Sequence, residues 1–282
     1  MNLIREIKNE TFQGERPLYK LRDASISDCE FLDGEGESPV KESRNVQVEH
    51  SIFHGKYPFW HNDNVSINDS YFSESSRAPI WYSSNITMNH CRVDSPKIFR
   101  ESRGITIKDS KLNQGETLWD CSDVKISNSV LSGDYFLLHT SDIELKDVTF
   151  TGKYSFQHVK RGVFRNCRFR TKDAFWNSED ITVYDSIIEG EYLAWYSKNL
   201  KLINCKIIGT QPLCYAENLL MQNCEMIATD LSFEYTTLDV DITNVVDSIK
   251  NPAGGRIKVR GIGELIQDDV TLDHSKTELI IG

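Results

Sequence analysis

The stretch Asn64-Val65-Ser66-Ile67-Asn68-Asp69-Ser70-Tyr71-Phe72 decides the architecture. Val65, Ile67 and Phe72 are apolar, Ser66 is polar, and Asp69-Ser70 interrupts the alternation. In-out-in alternation over so few residues is a strand with one buried face, and the interruption is a corner. The phrase recurs along the chain. Its opening position holds Val46, Val65, Ile86, Ile105, Val124, Ile143, Gly162, Ile181, Leu200, Leu219 and Leu238, at steps of 19, 21 and then 19 throughout. Two residues on stands an unbroken apolar column: Val48, Ile67, Met88, Ile107, Ile126, Leu145, Phe164, Val183, Leu202, Met221 and Val240.

Further columns follow. A small one runs through Ser51, Ser70, Cys91, Ser110, Ser129, Val148, Cys167, Ser186, Cys205 and Cys224, and two residues later a second core column includes Phe53, Phe72, Leu112, Phe150 and Ile207. Gly55, Gly133, Gly152, Gly190 and Gly209 recur next, where a turn calls for positive φ. A third apolar column, including Phe59, Phe99, Leu118, Phe156 and Leu213, precedes each phrase. Each repeat therefore holds three short strands and three corners, with no room for a helix. Such a unit buries its apolar residues only by stacking on its neighbours, strand to parallel strand at about 4.8 Å. The expected fold is an all-β parallel β-helix of about eleven coils of about 19 residues. It spans 24–245, between an N-terminal cap at 1–23 and capping strands within 246–282, in one structural domain. Arg256-Ile257-Lys258-Val259 and Thr277-Glu278-Leu279-Ile280-Ile281 are the expected capping strands.

The repeated Asn/Asp-Val/Ile-x-Val/Ile-x-Asn/Asp-Ser/Cys-x-Phe unit resembles the right-handed parallel β-helix of the pectin-lyase-like superfamily. More narrowly, with Phe12-Gln13-Gly14-Glu15-Arg16-Pro17-Leu18-Tyr19 near the start, the chain is similar to a bacterial family of single-domain β-helices without an assigned function. The resemblance implies the fold and tilts function toward carbohydrate. The architecture itself hosts lyases, hydrolases, binding proteins and scaffolds, so function has to be argued from a site.

Composition removes several classes. The 282 residues carry 32 Lys+Arg against 42 Asp+Glu, a net charge of -10, which argues against nucleic-acid binding by phosphate neutralisation. No apolar run reaches the roughly 18–20 residues of a membrane span. The opening Met1-Asn2-Leu3-Ile4-Arg5-Glu6 has no apolar h-region, so the expectation is no signal peptide and a cytoplasmic location. Seven cysteines outside CxxC spacing read as reduced thiols, with no zinc site, and no cofactor is expected.

Because columns are vertical neighbours, charge can be read down them. The corner column His50, Asp69, His90, Asp109, Asn128, Asp147, Asn166, Asp185, Asn204 and Asn223 never places two carboxylates side by side. Carboxylates about 5 Å apart would repel by about 1–3 kcal/mol near a surface. The alternation reads as an amide and carboxylate ladder, with a metal site at His50, Asp69, His90 and Asp109 as the other reading.

The column four residues before each phrase breaks that discipline. It holds His61, Tyr82, Glu101, Asp120, His139, His158, Asn177, Tyr196, Tyr215 and Glu234. Glu101 and Asp120 fall on successive coils, and a close carboxylate pair shares its protons unevenly, giving one acid and one base. Glu101, Asp120, His139, His158 and Arg100 are the candidate catalytic residues. The other reading is a polar corner, with His139, Arg100 or Arg103 neutralising the acids.

All five tryptophans, Trp60, Trp81, Trp119, Trp176 and Trp195, occupy the column one residue earlier, with Arg100 and Gln157 in the same column. An outward aromatic stripe marks a ligand or partner surface. Together with Tyr82, Tyr196 and Tyr215 these are the candidate ligand-binding residues. Tyr57, Tyr135, Tyr154 and Tyr192 recur three residues before the stripe. Lys153, Lys160, Arg161, Arg165, Arg168, Arg170 and Lys172 form a basic patch that reads as a solvated face or an anion site. Two functions stay open. One is binding or cleavage of an oligosaccharide or sugar conjugate in an aromatic groove, with Glu101 and Asp120 as acid/base or acid/nucleophile. The other is a non-catalytic interaction or self-association scaffold using the tryptophans.

Overall fold

Val46 pairs with Val65, Val65 with Ile86, and Ile86 with Ile105, all in parallel register, so residues one period apart are neighbours in space. The computed structural model describes residues 5–282; residues 1–4 of the expected N-terminal cap lie outside the described residues. Two compact units divide the chain, 1–144 and 145–282.

In the first unit the long face of the ladder runs through Arg5–Lys8, Arg22–Ser27, Arg44–Glu49, Asp63–Asn68, Ser84–Asn89, Arg103–Lys108, Ser122–Ser127 and the start of Ser141–Lys146. A second face consists of two-residue strands such as Ile52–Phe53 and Tyr71–Phe72, which pair with one another. The third face is strand only in part. Phe59–Trp60 pairs with Ile80–Trp81, and beyond that single bridges join Trp81 to Arg100 and Arg100 to Trp119. The reason is backbone geometry. Glu116, Leu118 and Asp120 have φ of 56°, 60° and 53°, so alternate residues are left-handed and the chain cannot extend. Asn and Asp tolerate that region, and buried residues such as Leu118 and Phe99 are held there by packing.

The second unit repeats this construction with Lys160–Arg165, Glu179–Tyr184, Lys201–Ile203, Leu219–Ile227, Thr237–Lys250, Gly254–Ile266 and Thr277–Ile281. The long face thus has fifteen strands among the described residues, where about eleven coils were expected. The difference arises because Arg5–Lys8 pairs with Arg22–Ser27, and both Gly254–Ile266 and Thr277–Ile281 continue the parallel ladder. The latter two are the strands expected as caps; they fall outside the nineteen-residue register because the step shortens, with Val240 opposite Ile257, and then lengthens, with Ile257 opposite Leu279.

The core columns stack as expected. Phe31 and Phe53 lie 4.7 Å apart at 7° between planes, and Phe53 and Phe72 follow at 4.8 Å. In the second unit Phe156 and Phe175 stack at 4.8 Å. The Ser/Cys column does more than fill space. Ser70 Oγ accepts the Ser51 N–H at 3.1 Å and donates to its own Asn68 carbonyl at 2.7 Å, and Ser129 does the same for Ser110. Small hydroxyls are selected there because they satisfy a buried corner N–H that the backbone ladder misses. The Asn/Asp corners form the amide ladder: Asn204 Nδ2 donates to Asp185 at 2.9 Å, and Asn223 to Asn204 at 2.9 Å. Of the recurring glycines, Gly133, Gly190 and Gly209 have positive φ, while Gly55 does not.

Candidate functional site

Four of the five indoles are tied down. Trp60, Trp81, Trp119 and Trp195 each donate their N–H to a backbone carbonyl one coil further on, namely Ala78, Lys97, Tyr135 and Gln211. The register places the ring outward, and this bond turns it flat against the next coil, so ring faces meet along the column. In the first unit Trp60 and Trp81 stack at 5.2 Å and 5°. Arg100 continues the pile, its guanidinium 4.9 Å from the Trp81 ring centre and 4.7 Å from that of Trp119. The pile spends its flat faces on itself, leaving edges to solvent.

The candidate catalytic acids sit beside this pile. Glu101 and Asp120 line one shallow depression with Tyr82, Ser83, Ser84, Ser102, Arg103 and Ser122, and no tryptophan borders it. Both acids are exposed, and the Asp120 side chain, 47% exposed, reaches His139 Nδ1 at 3.4 Å. Tyr82 stacks on His61 at 5.0 Å. The structure thus brings Glu101, Asp120 and His139 together. Arg100 is occupied as the cation between two indoles, and His158 has its place in the second unit.

That place is a groove of about 660 Å³ in the second unit, lined by Tyr154, Gln157, His158, Lys172, Asp173, Trp176, Tyr192, Trp195 and Gln211. Two breaks in the columns make it. Gln157 stands where an indole stands in other coils, so Trp176 has a small neighbour on that side. Asp173 stands in the tyrosine column between Tyr154 and Tyr192. Trp176 and Trp195 are 5.4 Å apart but tilted by 32°, and among the described residues no carbonyl receives the Trp176 N–H. Tyr192 packs edge-on against Trp195 at 5.2 Å, while Tyr196 and Tyr215 stack beyond at 4.9 Å. Asn177 Nδ2 lies 3.0 Å from His158 Nδ1.

Asp173 was missed as a candidate. Its one signal in the sequence is a carboxylate interrupting an aromatic column. In the structure it is only 8% exposed, and burial pushes its carboxyl above the usual aspartate range against the opposing pull of Lys172. Lys172 is itself engaged, 3.1 Å from Glu191 and 5.0 Å over the Tyr192 ring.

The basic patch is largely paired to the next coil: Lys160 with Glu179 at 2.9 Å, Arg170 with Glu189 at 3.2 Å, and Arg165 over Tyr184 at 4.0 Å. Among the described residues no three His, Cys, Asp or Glu side chains gather as a metal site. Among the described residues no helix is long and apolar enough to cross a membrane.

Known structures share the architecture. The surface adhesin PfbA of Streptococcus pneumoniae superposes with a TM-score of 0.52 at 11% identity, covering 91% of this chain and 83% of that one. The A-module of the mannuronan C-5 epimerase AlgE4 of Azotobacter vinelandii gives a TM-score of 0.29 at 11% identity, covering 86% and 79%. The first likeness bears on fold alone, and the second is too slight to carry an argument. No curated protein sequence matches the chain. The fold is a parallel β-helix, and with residues 5–280 matched, the chain belongs to the family described as "Protein of unknown function (DUF3737)".

Proposed function

We propose that the chain binds a saccharide in the groove around Trp176. The observation that carries this reading is the broken tryptophan column. Gln157 replaces an indole, and Trp176 keeps an uncommitted N–H beside an open volume of about 660 Å³. A sugar presents apolar C–H faces and a rim of hydroxyls. An aromatic wall next to Gln157, His158, Asp173 and the Gln211 side chain offers the matching surfaces. Binding is favoured over cleavage. Glu101 and Asp120 are both exposed on a shallow depression that no tryptophan borders. The aromatic pile in the first unit, with its faces used up, acts as a structural seam.

A glycan array followed by calorimetry with the best oligosaccharide tests this. Trp176→Ala is expected to weaken binding at least tenfold, and Glu101→Gln to leave it unchanged. Unaltered binding in the tryptophan variant, or an array without a ligand, overturns the proposal. Loss in Glu101→Gln with retention in Trp176→Ala moves the site to the first unit.

A further inference from the structure

We propose that the groove selects an amino sugar, a saccharide bearing a free protonated amine, with the Asp173 carboxylate as counter-ion. This rests on the saccharide-binding reading and specifies its ligand. Asp173 is more than nine-tenths buried, at 8% exposure, yet it lines the groove. Its backbone is fully used: the N–H donates to the Glu191 carbonyl at 3.0 Å, and the carbonyl accepts from Gln157 Nε2 at 3.4 Å. Its carboxylate has no donor within hydrogen-bond distance among the described residues, and Lys172 beside it is bound to Glu191.

A carboxylate that is largely withdrawn from water, opens only onto the groove and has no protein donor is incompletely compensated, and a ligand that brings a donor completes it. A charge-assisted bond from an ammonium is about twice as strong as one from a neutral hydroxyl. The walls agree with that choice. Tyr154, Trp176, Tyr192 and Trp195 present electron-rich rings, and a cation near such rings is attracted by their quadrupole. Lys172 already uses the Tyr192 ring in this way. An N-acetylated sugar lacks the charge, and a uronic sugar would set a second carboxylate against Asp173.

The test is calorimetry of the full chain with four probes of equal length: a glucosamine tetramer, its N-acetylated form, a neutral glucose tetramer and a galacturonate tetramer, at a pH where the amine is charged. The glucosamine tetramer is expected to bind at least tenfold more tightly than the N-acetylated one. Asp173→Asn, checked for folding by its thermal melt, is expected to abolish that preference while weak binding of the neutral sugar persists. Equal affinities in the unsubstituted protein, or a preference surviving in Asp173→Asn, overturn the amine assignment and leave the saccharide groove standing. No binding by any of the four overturns both.

Discussion

Trp60 and Trp81 stack with ring centres 5.2 Å apart and planes 5° from parallel. Arg100 then lies between Trp81 and Trp119 at cation–π distance from each. Each such contact contributes about 0.5–2 kcal/mol, depending on how far it is withdrawn from water.

Arg100→Ala should therefore destabilise the protein by about 1–4 kcal/mol, summing two contacts. Arg100→Lys should recover only part of this, because an ammonium keeps the charge but loses the planar stacking. Chemical denaturation of the two variants checks the ranking. An Arg100→Ala protein as stable as its parent would mean the pile is decorative.

The glycine column contains two different kinds of position. At Gly190 the backbone has φ of 153° and a Cβ would stand 2.0 Å from the Thr171 carbonyl oxygen. At Gly55 φ is not positive and the Leu32 oxygen would be 3.1 Å away. Gly190→Ala should cost at least about 1–3 kcal/mol from the backbone conformation alone, with the overlap added. Gly55→Ala should cost clearly less. Comparing denaturation midpoints decides it, and equal losses would contradict the register.

All seven cysteines are free and buried. Burial pushes the thiols of Cys91 and Cys167 up to about 11, and those of Cys121 and Cys214 up to about 12. The thiolate is the reactive form, and the Cys224 thiol, which its hydrogen bond with Cys205 lowers, is shielded by burial alone, so the folded protein should not react with an aromatic disulfide reagent at pH 8, while all seven should react in denaturant. Rapid labelling of even one native thiol would show an opening in the coil stack.

Tyr235 Oη donates to Asp269 at 2.6 Å, and Thr271 adds its hydroxyl and N–H, which holds the Asp269 carboxyl down to about 2. The native group is thus more acidic than its unfolded value of 3.8. Its contribution is complete above that value and disappears as the pH falls toward about 2. Asp269→Asn should flatten the loss of stability between those two pH values, and Tyr235→Phe should reduce it in the same window. Thermal melts across the acid range test this, and an unchanged slope in Asp269→Asn would contradict it.

Reading down the register recovered the strands, the stacked Phe column, the Asn ladder and the single tryptophan column, because in a ladder a fixed step in sequence is a fixed step in space. Ile105 could only lie under Val124 once Val46 lay under Val65. That inference stops where the step changes. Gly254–Ile266 and Thr277–Ile281, legible in the sequence only as capping strands, are full members of the ladder, reached by steps of other lengths.

The columns say which residues are neighbours, but not which way a ring turns or what a side chain lacks. That the indoles would lie face to face, with Arg100 wedged among them, depends on an N–H reaching a carbonyl on the next coil. That Asp173 would be buried without a donor depends on Lys172 turning to Glu191 and on Gln157 being too small to fill an indole's place. Periodicity is a one-dimensional property and survives in the string of letters. Rotamers, unfilled volume and unpaired charge arise only when all the neighbours are present at once.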